Sequence, residues 1–137
     1  MSMRVYELNR AWVAKPTRSK SLDRSRGLVS VSAFSGPVGG LLANVNRWRE
    51  QIGLGPVSET ELTKVTSALD LNGRKATLVD MANPGQTKSG ESDRLVAAIV
   101  PHGGYTWFFK LTGNNRMIET AKPSFIQFVQ SVRYPND

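Results

Sequence analysis

The sequence predicts an α+β fold in three layers, an α/β/α sandwich whose mainly antiparallel sheet has helices on both sides. Three observations carry that expectation. Leu95–Val100 (LVAAIV) is apolar without alternation, as a strand covered on both faces must be. In Tyr105–Thr112, Tyr105, Trp107, Phe109 and Leu111 fall on one side and Phe108 on the other, so material is needed above and below the sheet. Apolar stripes at helical spacing stand before and after these strands and supply the two covers. The 137 residues amount to one domain, read here as 1–137, and such a chain buries roughly two-thirds of its unfolded surface without disulfide or metal.

The elements follow in order. Arg4–Leu8 (RVYEL) alternates and reads as a strand. Leu28–Phe34 (LVSVSAF) alternates strictly, with Val29, Val31 and Ala33 on one side and Ser30 and Ser32 on the other, so it is a half-buried strand that can pair with the first. Ser35-Gly36-Pro37 ends it. In LLANVNRWREQIGLG, Leu41, Val45, Trp48 and Ile52 make one apolar stripe of a helix, Asn46, Arg47 and Glu50 face outward, and Gly53 is the stop signal. Ser58 and Glu61 form a capping box that opens a short helix to about Lys64 or Val65.

Strands over Ala68–Leu71 and Arg74–Met81 flank Asn72-Gly73, a pair suited to the positive φ of a two-residue hairpin turn. Leu95–Val100 comes next, and His102-Gly103-Gly104 turns the chain into Tyr105–Thr112. The end is helical: a short helix over Asn114–Ala121, then a second with Pro123 at its first position and Phe125, Phe128, Val129 and Val132 as its stripe. Removing Phe128 is expected to leave a cavity costing about 3–5 kcal/mol.

The residues exclude more chemistry than they offer. There is no cysteine, which removes disulfides, thiolate metal sites and cysteine nucleophiles, and one histidine, His102, which reads as a solvated turn residue. Gly53-Leu54-Gly55 lacks the third glycine and the preceding strand of a dinucleotide fingerprint, and no phosphate-binding loop or nucleophile elbow is present. Glu59 and Glu61 are first-turn residues of a helix, Asp80 calls for a structural arginine partner, and Glu91 with Asp93 is too poor in oxygen ligands for calcium. No catalytic residue, cofactor-binding residue or metal ligand is therefore named. No apolar run has the length of a membrane span, and residues 1–15 lack the continuous apolar stretch of a signal peptide.

Binding features are what remain. Of the net +7, the first 26 residues hold seven basic groups against two acidic ones. The segment Lys15–Gly27 (KPTRSKSLDRSRG) has one Leu and no aromatic residue, a composition for a basic loop or arm, and Lys15, Arg18, Lys20, Arg24 and Arg26 are its candidate anion-binding residues. With no aromatic interleaved to stack on bases, nucleic acid is not the favoured partner. The polar loop Asn83–Arg94 (NPGQTKSGESDR) offers Lys88, Glu91 and Asp93, and the outward face of the first helix offers Asn46, Arg47 and Arg49, as candidate partner-binding residues. Trp48 belongs to the core stripe instead.

The segments GGLLANVNRWREQIGL (39–54) and TWFFKLTG (106–113), followed by a Phe-x-x-Phe helix, resemble those of bacterial members of the PsbP-like superfamily over roughly residues 29–132. The resemblance implies an antiparallel sheet between helices. It also implies a non-catalytic accessory role, since its members include a photosystem accessory subunit and a nuclear-transport factor that work by docking onto something larger. The expected partner is accordingly a protein or a cell-envelope component, with the envelope favoured over the cytoplasm, and the expected state is a monomer without cofactor. Two alternatives stand beside it: binding of an anionic surface or nucleic acid through the basic N-terminal segment, and a small hydrolase or transferase without a recognisable motif.

Overall fold

The sheet is built from alternation, and the hairpins that join its strands follow from local turn chemistry. The computed structural model describes residues 2–5, 14–16, 28–35, 39–85 and 93–132. In chain order the elements are β1 (Ser2–Val5), β2 (Ala14–Pro16), β3 (Leu28–Ser35), α1 (Leu41–Gln51), α2 (Glu59–Val65), β4 (Thr66–Leu71), β5 (Arg74–Ala82), β6 (Asp93–His102), β7 (Tyr105–Asn114) and α3 (Asn115–Ser131). All seven strands form one sheet in the order β2-β1-β3-β7-β6-β5-β4, and every pairing is antiparallel.

Period-two alternation sorts the side chains into two cores. Val29, Val31, Leu69, Leu78, Val96, Val100, Phe109 and Leu111 pack against Ile118, Ala121, Phe125 and Val129 of α3. On the opposite face Val79, Met81, Leu95, Ala97 and Phe108 pack against Val45, Trp48 and Ile52 of α1, with Leu62 and Val65 of α2 beside them. The three-layer α+β architecture is thus as expected, and Trp48 is core, its ring meeting Phe108 edge-on at 5.6 Å between centroids.

The two covers are unequal. The α3 side draws on strands from β3 across to β4. The α1 side draws on β5, β6 and β7; β3 presents positions 28, 30, 32 and 34 there, and Phe34, though its ring meets Phe108, is 44% exposed. Among the described residues, helical cover on that face stops at β7.

Local chemistry explains the connections. Asn72 (φ 57°) and Gly73 (φ 91°) both take positive φ, as the Asn-Gly hairpin requires, and the Asp70 carboxylate accepts a hydrogen bond from the Gly73 N–H at 2.8 Å. The Ser58 hydroxyl accepts from the Glu61 N–H while the Glu61 carboxylate accepts from the Ser58 N–H, a complete capping box. Asn114, buried at the end of β7, caps α3 by accepting from the Met117 N–H at 2.8 Å, so strand passes into helix with no loop.

Four expectations are corrected. The last helices are one helix of 17 residues with Pro123 inside it rather than at a first position. The stripe Ile118, Ala121, Phe125, Val129 runs unbroken past the proline, and burying those side chains at about 1.5–3 kcal/mol for each large one outweighs the roughly 3 kcal/mol cost of an interior proline. His102 is the last residue of β6, paired with Tyr105, and the turn is Gly103-Gly104 alone, both at positive φ. Lys15 lies in β2 rather than in a loop, opposite Arg4. Asp93 and Arg94 belong to β6 rather than to the preceding loop. The first strand is β1, and residues 6–8 of its expected extent lie outside the described residues.

Candidate functional site

The rim where α1 ends its cover of the sheet gathers cations. Helix α1 starts after Gly40, whose positive φ suits glycine and whose carbonyl accepts from both the backbone N–H (3.3 Å) and the side-chain amide (2.8 Å) of buried Asn44. That same Asn44 side chain accepts from the Arg47 guanidinium at 2.6 Å, so a buried amide holds an exposed arginine in place. From the sheet below, Lys110 of β7 donates to the Gln51 side-chain oxygen at 2.9 Å. Burial first, and the nearby Arg47 charge second, push the Lys110 ammonium below its ordinary pKa. Neither cation is ion-paired to a carboxylate among the described residues.

The other two helix-face candidates do not face outward as expected. The Asn46 side chain accepts from the Val57 N–H at 2.8 Å and donates to the Val57 carbonyl at 3.1 Å. Arg49 donates to the Gly55 carbonyl at 2.6 Å. Residues 52–58 have no regular structure to satisfy their backbone, and these side chains do it instead. The signal was present in the run Gly53, Gly55, Pro56 directly behind the helix, a stretch that needs external hydrogen-bond partners. Of Asn46, Arg47 and Arg49, only Arg47 stays exposed.

Of the loop candidates, Lys88 and Glu91 lie outside the described residues, and Asp93 opens β6 opposite Asn114. Of the basic segment, Lys15 sits in β2, and Arg18, Lys20, Arg24 and Arg26 lie outside the described residues.

A second charged cluster lies on the α3 side. Asp80 of β5 accepts from Arg94 at two points, 2.8 and 2.7 Å, and from Lys122 of α3 at 2.7 Å, while Arg94 also reaches Glu119 and Asn115. Burial pushes the Asp80 carboxyl up, but hydrogen bonds from Arg94 and Lys122, with their charges, hold it below the usual carboxylate range. The structural partner expected for Asp80 is therefore Arg94, and the cluster fastens α3 to the sheet rather than leaving an acid poised for proton transfer. Among the described residues no group of three or more His, Asp or Glu is placed to hold a metal ion. Among the described residues no helix is long and apolar enough to cross a membrane.

No family model matches the chain, and no curated protein is similar to it. Solved structures are. A Pseudomonas aeruginosa protein of unknown function, put forward as a regulator, superposes with a TM-score of 0.51 at 14% identity, covering 98% of this chain and 99% of its own. A Bacteroides thetaiotaomicron protein gives a TM-score of 0.46 at 12% identity over 81% of this chain and 36% of that one. What the chain shares with the Pseudomonas protein is the α+β fold, and at that identity the fold alone.

Proposed function

We propose that this protein is a non-catalytic docking module that meets an acidic partner at the rim formed by α1 and β7. The observation that carries the reading is the pair Arg47 and Lys110: two cations on separate elements, brought together without a described carboxylate between them. A fold seeking only stability has no use for a partly desolvated lysine beside an arginine, because burial and like charge both disfavour it. An acidic group from outside would relieve both terms. Exposed Phe34, continuous with the Phe108 and Trp48 rings at 5.9 and 5.6 Å, adds an aromatic surface of the kind enriched in protein interfaces.

The PsbP-like kinship belongs to the same proposal. Residues 39–54 and 106–113, which carry the resemblance, fall on α1 and β7, the two elements that bring Arg47 and Lys110 together. The test is recovery of a stoichiometric protein partner from native extract by the wild-type chain, with loss of that partner in Arg47→Glu/Lys110→Gln at unchanged circular dichroism. A partner that binds the double variant as well as the wild type removes the rim from the proposal.

A further inference from the structure

The described lysines differ in what holds their charge. Lys75 is paired with Asp70 at 3.6 Å and Lys122 with Asp80 at 2.7 Å, each a carboxylate that favours the ammonium form. Lys64 stands exposed on α2. Lys110 is different. Half-buried on β7, it donates to the neutral side-chain oxygen of Gln51 at 2.9 Å, and among the described residues no carboxylate pairs with it. Arg47 lies one turn before Gln51 on the same side of α1, so the charge that bears on the amine is another cation. The sheet supplies no counter-charge there, because the cross-strand neighbours of Lys110 are Ala97 and Ser30.

We infer that Lys110 is an acylation site, its amine taking a small acyl group from an acyl phosphate, and that this modification switches the docking rim off. The regulatory half rests on the docking reading above; the chemistry at Nζ does not. Nucleophilic attack needs the neutral amine, and a lysine reaches that form when it is partly desolvated beside a second cation and lacks a carboxylate. All three conditions meet at Lys110, and its lowered pKa agrees with them. The exposed Arg47 guanidinium, held by Asn44 through one nitrogen at 2.6 Å, keeps further N–H groups for the phosphoryl oxygens of the donor. In the reaction the Nζ lone pair attacks the acyl carbon, a C–N bond forms, and the acyl C–O bond to phosphate breaks. Phosphate leaves with the electron pair of that bond and takes the proton that the amine gives up. The product amide carries no charge, so of the two cations the rim retains Arg47 alone.

The experiment exposes the purified full chain to sub-stoichiometric acetylation by acetyl phosphate at neutral pH and reads each lysine by peptide mass spectrometry. Lys110 is expected to be acetylated about threefold faster, or more, than exposed Lys64 and paired Lys75. Gln51→Glu, at an exposed position of α1, sets a carboxylate on the amine and should bring Lys110 down to the rate of Lys75 with circular dichroism unchanged. Acetylation of Lys110 no faster than that of Lys64, or at an undiminished rate in Gln51→Glu, overturns the inference. So does a Lys110-acetylated chain that holds the native partner as tightly as the unmodified chain while Arg47→Glu/Lys110→Gln loses it. The docking reading fails separately, if the native partner is indifferent to Arg47→Glu/Lys110→Gln.

Discussion

Arg94 closes on Asp80 through both nitrogens of one edge of its guanidinium, Nε to Oδ1 at 2.8 Å and Nη2 to Oδ2 at 2.7 Å, while Lys122 reaches the same Oδ2 from α3. The Asp80 position pairs with Val96 and Arg94 sits one strand away, so a diagonal across two strands and a helix is locked by one carboxylate. Asp80→Asn removes the charge that two cations share, and we expect a loss of about 2 kcal/mol in urea unfolding at neutral pH. Because the folded-state pKa of Asp80 lies below its unfolded value, its contribution is complete above about pH 4 and fades as pH falls through the folded-state value. Asp80→Asn should therefore flatten the acid limb of the stability curve. An unchanged limb would show that the pair contributes nothing.

Lys110 gives the opposite sign. Its pKa is depressed in the fold, so the folded state resists its charge, and stability should rise with pH between the folded value and the ordinary lysine value near 10. Lys110→Met keeps the stem and removes the charge. It should raise the melting temperature while weakening partner binding, the trade-off of a residue kept for docking. A variant less stable than wild type contradicts this account.

Pro123 sits inside α3 at an exposed position between buried Ala121 and Phe125. Pro123→Ala restores the missing backbone donor four residues after Glu119, and stability should increase by about 1–2 kcal/mol, the gain being reduced by a freer unfolded chain. Equilibrium denaturation decides it.

Phe125 and Phe128 separate a buried ring from a covering one. Phe125 is fully buried, and Phe125→Ala should cost about 3–5 kcal/mol. Phe128 is only partly buried, edge-on to Phe109 at 6.0 Å, so Phe128→Ala should cost about 1–2 kcal/mol rather than the full cavity penalty expected from its place in the helical stripe. Equal losses in the two variants would contradict the difference in depth.

Asn46 holds Val57 through both backbone groups. Asn46→Ala should cost about 1–2 kcal/mol and accelerate hydrogen exchange at the Val57 amide, with little change elsewhere in the sheet.

Strand identity was legible because apolar residues at period two declare both a strand and its buried face: Val29, Val31 and Ala33 did so, and the double-sided run 95–112 revealed three layers. Turns with obligatory positive φ, as at Asn72-Gly73, were equally plain. Pro123 was misleading because local backbone preference points to a break, whereas the long stripe on either side of it wins through burial. Asn46 and Arg49 were misread because helical spacing marks a side chain as away from the core without saying that an irregular segment will come to meet it. The rim itself was half visible. Arg47 stood out, but Lys110, inside an aromatic strand, acquires meaning only from the register that sets it beside Ser30 and under Gln51.

The pairing of β3 with β7 ties Leu28 to Thr112, across most of the chain. On a ribosome, β3 can meet β1 early but must wait for its other neighbour, β7, until β4, β5 and β6 have been synthesised. Until then the valines at 29 and 31 have no permanent home, and a helper that shields nascent hydrophobic segments has its longest opportunity there.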